Sequence, residues 1–149
     1  MKRPILQPRD DAPVHDVLGG SISVRLREEE TGGRIALIEN VIPARFDALP
    51  LHVHPAFDEA FYIVSGALTF TVGGETLTAT PGALVWAPGE VPHTFRNYTT
   101  EPARLLLWTT PGGHERYFDA FVALAAAGPP APSVLGELMS RHGISVVTP

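Results

Sequence analysis

Short segments in which apolar and polar residues alternate, separated by glycine and proline, fill most of the first 110 residues of this 149-residue chain. Alternation of this kind is typical of strands that bury one face and expose the other. Residues 21–26 and 68–72 show it most clearly, and Gly73-Gly74 between two such segments predicts a two-residue hairpin. Eight or more such segments follow one another at a spacing of roughly ten residues, which predicts an all-β sandwich or barrel.

Near the C-terminus the pattern changes from that of strands to that of helices. In residues 114–126 the apolar side chains follow a helical period, and Gly128 with the two prolines after it is expected to end that helix. A second helix is predicted for residues 134–141, with Ser133 as its N-cap and Gly143 as its stop. The predicted strands are residues 21–26, 34–41, 51–54, 59–65, 68–72, 75–79, 83–87, 93–97 and 103–109, and residues 28–33 are predicted to form a turn.

These elements divide the chain into three regions. We expect an N-terminal arm over residues 1–18, a β-barrel domain over residues 19–112, and a helical extension over residues 113–149 that packs on the barrel. Tyr62 and Trp86 have the outward parity and are expected to cover a sheet or a homodimer interface. The predicted inward-facing residues are Phe61, Ile63, Leu68, Phe70, Val72, Val85 and Phe95.

Composition and charge exclude several classes of protein. A chain of 16.0 kDa with 44% hydrophobic and 18% charged residues is expected to form one folded domain. The chain has no cysteine, which excludes disulfides, thiol catalysis and cysteine-ligated metals. Its net charge of −5 argues against nucleic-acid binding. No apolar run reaches the roughly 18 residues of a membrane span, and the first residues do not form a secretory signal. We therefore expect no membrane partner and a cytoplasmic location.

Three of the six histidines, together with one glutamate, form a pattern that suits a metal ion. His52 and His54 lie two residues apart on a predicted strand, so their imidazoles share one face. Glu59 begins the next apolar strand, where an unpaired carboxylate is costly, and His93 begins a later strand. Imidazole and carboxylate ligands suit Fe, Mn, Ni, Co, Cu or Zn rather than Ca or Mg. A His-x-His pair alone is a weak indication of a metal site, because two half-exposed polar residues on a strand give the same pattern.

The remaining polar candidates have weaker patterns. His15, His114 and His142 fit no ligand spacing and are predicted to lie at the surface. Arg45 and Arg96 suit either an anionic substrate or a solvent-exposed position. No Ser-His-Asp order, phosphate-binding loop or redox motif accompanies them.

The spacing of the four candidate ligands and of the glycines around them resembles the two motifs of the cupin superfamily. The first motif is Gly-x5-His-x-His-x(3–4)-Glu-x6-Gly. The segment His52-x-His54-x4-Glu59-x6-Gly66 matches it except that Phe46 stands at the leading glycine.

The second motif of that superfamily is Gly-x5-Pro-x-Gly-x2-His-x3-Asn. Gly82-x5-Pro88 and His93-x3-Asn97 match it in spacing, whereas Glu90 stands at the inner glycine. The resemblance implies an all-β double-stranded β-helix, or jelly-roll, barrel with short C-terminal helices. It also implies one divalent transition metal inside the barrel mouth, with His52, His54, Glu59 and His93 as its ligands.

Residues 30–34, 50–55 and 111–113 extend the likeness to small single-domain cupins of the quercetin-dioxygenase-like kind. That resemblance implies a metal-dependent dioxygenase-type oxidoreductase acting on a small phenolic or enolic molecule, with Glu59 as a catalytic base. Two alternatives stay open: a non-oxidative metal-dependent isomerase, lyase or polyketide cyclase, and a small-ligand-binding protein without turnover. The expected partners are a small-molecule substrate and a second copy of the chain in a homodimer.

Overall fold

The computed structural model describes residues 3–148, and their strands form two antiparallel sheets. The strands are β1 (His15–Val17), β2 (Gly20–Leu26), β3 (Ala36–Ile42), β4 (His52–Val53), β5 (Asp58–Ser65), β6 (Leu68–Val72), β7 (Glu75–Ala79), β8 (Leu84–Ala87), β9 (His93–Arg96), β10 (Ala103–Thr110) and β11 (Ser145–Val146). The six-stranded sheet has the order β1-β2-β3-β10-β5-β8, and the five-stranded sheet has the order β11-β4-β9-β6-β7. This topology is the predicted jelly-roll barrel with short C-terminal helices. The helices are α1 (Glu28–Thr31), α2 (Glu115–Ala125) and α3 (Pro132–Arg141), preceded by a 3-10 turn, Arg9–Asp11.

The barrel interior is filled by every second residue of the strands, as the alternation predicts. On β3 and β10 the alternate residues are buried along the whole strand. The aromatic rings of Phe61, Phe70 and Phe95 form the centre, with the centroids of Phe61 and Phe70 5.1 Å apart and those of Phe70 and Phe95 5.5 Å apart. Six of the seven predicted inward-facing residues are buried, and Val72 packs against them half-buried. Tyr62 and Trp86 are 39% and 49% exposed on the opposite face.

Two of the turns depend on backbone that only glycine adopts easily. Gly73 and Gly74 have φ of 58° and 87° and connect β6 to β7, where Val72 pairs with Glu75. Two consecutive positive φ values are what a tight hairpin of this hand requires. Gly66, with φ of 75°, also lies so close to β10 that a Cβ atom would stand 2.6 Å from the carbonyl oxygen of Pro102. A side chain at residue 66 is therefore excluded by both strain and space.

Residues 28–33 do not form only the predicted turn, because residues 28–31 are the short helix α1. The side chain of Glu30 accepts a hydrogen bond of 2.8 Å from the backbone N–H of Arg27, which caps the start of this helix. Gly32, with φ of 67°, ends it. The helix is too short to produce a helical period in the sequence, and its capping depends on one side chain.

Three further features at the ends of the chain differ from the predictions. Ser133 makes no capping hydrogen bond, because Pro132 occupies the first turn of α3 and Ala131 is the N-cap residue. Strands β1 and β11 were not predicted, since three and two residues are too few to show alternation. Both are held by pairing with a longer part of a sheet, β1 with β2 and β11 with β4.

Helices α2 and α3 pack on the barrel and close the end of its interior. Phe118 and Phe121 of α2 pack against the apolar residues of β2 and β3, while Tyr117, Met139 and Ile144 form a small buried cluster between the helices. Among residues 3–148, no helix has the length and apolar character needed to cross a membrane.

Candidate metal centre

The two sheets bring the four candidate ligands to one end of the barrel interior. His52 on β4 is the cross-strand partner of His93 on β9, so their side chains are neighbours. His54 follows β4 directly, and Glu59 lies on β5 of the other sheet. All four residues are buried, with exposed fractions of 7% for His52, 1% for His54, 3% for Glu59 and 2% for His93. The structure therefore brings the four residues together.

The ligand atoms of His54, Glu59 and His93 are in direct contact. The Nε2 atom of His54 lies 2.6 Å from Oε2 of Glu59 and 2.9 Å from Nε2 of His93. The distance from His93 Nε2 to the same Glu59 oxygen is 2.7 Å. One donor atom from each of the four residues lies within 4.8 Å of the other three.

Backbone carbonyls fix which nitrogen of each imidazole points to the centre. The Nδ1–H groups of His52, His54 and His93 donate to the carbonyl oxygens of Pro50, Phe57 and Val91, at 2.9, 3.1 and 2.9 Å. In a neutral imidazole the other nitrogen, Nε2, then carries the lone pair. Three imidazole lone pairs and one carboxylate therefore face one another. Their mutual repulsion is relieved when a cation binds between them.

The pKa values of the cluster also indicate that a positive charge stabilises it. Burial, together with the neighbouring His93 imidazole, lowers the pKa of His52 to about 4, so this ring is neutral near pH 7. Burial opposes ionisation of both Glu59 and His54, but the hydrogen bonds between them outweigh it. The pKa of Glu59 is held well below its usual value, and that of His54 is raised. The residues therefore fit a divalent transition metal, and this buried group could hold one.

A cavity of about 240 Å³ opens beside the cluster. Its wall includes His52, Glu59 and His93, so the candidate metal site lies on the cavity surface. Most of the remaining wall is apolar, and it includes Phe46, Leu49, Phe61, Leu107, Phe118 and Phe121. Neither Arg45 nor Arg96 belongs to the wall, and Nη1 of Arg45 donates instead to the carbonyl oxygen of Tyr98.

His114 also lies at the site, so its predicted surface position is wrong. It is only 8% exposed, it lines the cavity, and its Nε2 lies 3.5 Å from Oε1 of Glu59. Its ring stacks on that of Tyr117, with centroids 5.4 Å apart. The buried carboxylate of Glu115 accepts hydrogen bonds from the backbone N–H groups of Glu28 and Gly113, which fixes the start of α2 and so the position of His114.

His114 has no strand parity or ligand spacing that could have revealed this position. Burial lowers its pKa to about 4, so its imidazole is neutral near pH 7. Its Nδ1 atom is buried and has no hydrogen-bond partner among the described residues.

The candidate ligands lie in a segment that matches a known protein family. The family model of the Cupin domain matches residues 41–109, which include all four candidate ligands. Residues 41–109 are therefore a cupin domain. One relative among curated proteins is an uncharacterized protein of Streptomyces coelicolor, 34% identical over 56 residues. That match covers 38% of this cupin and 53% of the relative, so this cupin spans about half of the relative's length.

Solved structures support the same fold. KdgF from Halomonas sp. superimposes with a TM-score of 0.65 at 16% identity, covering 76% of this cupin and 99% of KdgF. The polyketide cyclase RemF from Streptomyces resistomycificus gives a TM-score of 0.59 at 18% identity, covering 74% of this cupin and 80% of RemF. At these identities the likeness establishes the fold alone.

Proposed function

We propose that this cupin is a metal-dependent enzyme of the dioxygenase type that acts on a small phenolic or enolic molecule. The observation that carries the proposal is the position of the three-histidine, one-glutamate cluster on the wall of an otherwise mainly apolar cavity. A flat aromatic molecule fits apolar walls, while its hydroxyl group needs a polar partner at one end. The cluster is that polar end.

The proposed roles of the protein groups follow from their positions. A divalent transition metal held by His52, His54, Glu59 and His93 would supply Lewis-acid chemistry towards a phenol or enol and, if redox-active, electron transfer to dioxygen. Glu59 Oε2 contacts His54 and His93, whereas Oε1 faces His114, so Oε1 is the oxygen available to accept a substrate proton. Because the pKa of Glu59 is low, this carboxylate can deprotonate only a hydroxyl that is itself acidified.

Oxygen consumption tests the proposal directly. We expect protein loaded with iron, manganese, cobalt, nickel or copper to consume dioxygen in the presence of at least one flavonol or catechol, and protein loaded with zinc to consume none. Glu59→Gln keeps the shape of the side chain but removes its negative charge, and we expect it to abolish uptake. Uptake by none of the metal-loaded samples across the panel would remove the dioxygenase reaction from consideration.

A non-oxidative reaction is the second candidate, since the fold is shared with the polyketide cyclase RemF. In that reaction class the metal polarises a carbonyl or enol oxygen and no oxidant is needed, so zinc suffices. The same panel, extended to linear polyketone substrates and incubated without oxygen, separates the two candidates. Turnover by the zinc-loaded protein under nitrogen favours the second candidate, and ligand binding without turnover under both conditions favours a binding protein.

We also propose that this cupin forms a homodimer through the exposed apolar face of β5 and β8. Tyr62 and Leu84 are cross-strand partners on that face and are 39% and 59% exposed, and Val64 and Trp86 beside them are 44% and 49% exposed. Strand β8 is the edge of its sheet, so its backbone groups can pair with the same strand of a second copy. A two-fold arrangement allows one face to serve both partners.

Light scattering on a sizing column tests the homodimer. We expect a mass twice the 16.0 kDa of the chain, reduced to one chain by the double variant Leu84→Lys with Trp86→Lys. Facing lysines repel one another and need water, which an apolar interface does not supply. Leu77→Lys on β7 is the matched control, because Leu77 is 55% exposed but lies on the other sheet. A wild-type mass of one chain would contradict the proposal.

A further inference from the structure

Four buried side-chain atoms have no hydrogen-bond partner among the described residues: Ser23 Oγ, Asn40 Oδ1, Thr109 Oγ1 and His114 Nδ1. Only Asn40 and His114 also line the cavity beside the metal cluster. His114 belongs to the metal end, where it faces Glu59. Asn40 lies elsewhere on the wall, on an inward-facing position of β3 between Ile38 and Ile42, and is 5% exposed.

Asn97, the other buried asparagine, has a structural role and serves as a comparison for Asn40. Asn97 is fully buried, and its Nδ2 donates to the carbonyl oxygens of Pro43 and Glu101 at 3.1 and 2.8 Å. Its Oδ1 accepts from the backbone N–H and the hydroxyl of Thr99, at 3.0 and 2.7 Å. Every polar atom of this amide is used to hold a turn. The side-chain oxygen of Asn40 accepts no hydrogen bond from the described residues. Leaving such an atom unpaired in a protein interior is costly.

The strand register places Asn40 away from the metal end of the cavity. Thr109 of β10 pairs with both Glu59 and Ala36, so these residues lie in one layer of the barrel. Asn40 pairs with Leu105, which lies four residues before Thr109 on β10. At about 3.3 Å per residue, the layer of Asn40 lies roughly 13 Å from that of Glu59 along the strands.

The size of the cavity agrees with a ligand that reaches from one end to the other. An engineered cavity of about 150 Å³ binds benzene, whereas this cavity measures about 240 Å³. It therefore has room for more than one aromatic ring. An unpaired amide oxygen needs a donor, and a hydroxyl group supplies one without adding a charge to apolar surroundings.

From these observations we propose that Asn40 is a specificity-determining residue that hydrogen-bonds a hydroxyl group at the far end of an elongated aromatic substrate. The substrate class is then a fused-ring or linked-ring polyphenol that carries one oxygen at the metal end and a second at the Asn40 end. This proposal rests on the proposed function, because it takes the metal cluster as the binding point of the first oxygen.

Calorimetric binding of three probes to zinc-loaded protein tests the proposal. The probes are 2-naphthol, 2,6-dihydroxynaphthalene, whose hydroxyls lie at opposite ends, and 2,3-dihydroxynaphthalene, whose hydroxyls share one end. We expect wild-type protein to bind the 2,6-diol roughly three- to tenfold more tightly than 2-naphthol, as one additional hydrogen bond provides. Asn40→Leu is expected to remove this preference and to leave the affinity for the 2,3-diol unchanged.

Two controls separate a recognition role from a structural one. Phe121→Leu changes the apolar wall, and we expect it to weaken 2-naphthol and the 2,6-diol by equal factors. Asn40→Leu is expected to keep or raise the melting temperature of the ligand-free protein, because it replaces an unpaired polar group by an apolar one of similar volume. A structural role for Asn40 would instead lower the melting temperature.

The outcomes distinguish this inference from the proposed function. Two results would contradict the role of Asn40 but not the aromatic site. In the first, 2-naphthol binds and the 2,6-diol binds no more tightly. In the second, Asn40→Leu still binds the 2,6-diol more tightly than 2-naphthol. If none of the three probes binds the zinc-loaded protein, the proposed phenolic substrate fails as well, and the role of Asn40 fails with it.

Discussion

Replacing His54 by alanine is expected to reduce the metal content of this cupin from one ion per chain to almost none. His54 Nε2 contacts both Glu59 and His93, so it lies between the other ligands. Altering only a residue that supports a metal ligand already weakens binding by about 10- to 100-fold, and removing a ligand itself exceeds that. We therefore expect the dissociation constant for zinc to rise by roughly 100-fold or more.

Elemental analysis of protein produced without a histidine tag measures the content, and competition with a chelator measures the affinity. His15→Ala is the matched control, since it removes an exposed imidazole far from the cluster. A metal ion that binds only the folded protein would also stabilise it by about 4 kcal/mol at a concentration one thousand times its dissociation constant. A chelator should thus lower the melting temperature of wild-type protein and leave that of His54→Ala unchanged. Retention of one tightly bound ion by His54→Ala would show that the ligand set is wrong.

The four candidate ligands could be predicted from sequence partly from a local rule and partly from the resemblance to the two cupin motifs. Residues two apart on a strand share a face, which pairs His52 with His54, whereas the motif spacing implied that Glu59 and His93 join them. Glu90 shows that a departure from the motif need not change the backbone. It stands where the motif has glycine and still adopts the left-handed conformation, with φ of 70°.

His114 and Asn40 could not be predicted, because their roles depend on contacts between distant segments. His114 reaches the cavity only because Glu115 is held by the backbone N–H of Glu28, on a helix that the sequence did not predict. Asn40 has ordinary strand parity, and only the finished barrel shows that its oxygen lacks a partner. Alternation predicts which way a side chain points, but not which neighbours it meets there.

Acid is expected to destabilise the metal-free protein strongly between pH 6.5 and pH 4. His52 and His114 each have a folded-state pKa of about 4, below the ordinary value of 6.5, because they are buried. Within this range the unfolded chain binds protons that the folded chain does not, so falling pH favours unfolding. Each imidazole then costs about 3 kcal/mol of folding free energy across the range, and the two together about 6 kcal/mol.

The other two shifted groups of the centre do not reverse this trend. The raised pKa of His54 provides stability that is fully present below pH 6.5 and is lost only at higher pH, as the pH passes through its folded-state pKa. The lowered pKa of Glu59 provides stability that is lost as the pH falls below about 4.5, which adds to the destabilisation at the acid end.

Urea unfolding of chelator-treated protein at a series of pH values measures this loss of folding free energy. The variant His114→Phe shows how much of the loss comes from His114. Phenylalanine fills the place of the imidazole among Phe57, Tyr117 and Phe118 but cannot bind a proton. We expect this variant to lose about half as much folding free energy as wild type between pH 6.5 and pH 4. His15→Ala, the exposed control, should retain the full loss. Equal losses in wild type and His114→Phe would contradict the buried, neutral state assigned to His114, and with it the position of that ring beside Glu59.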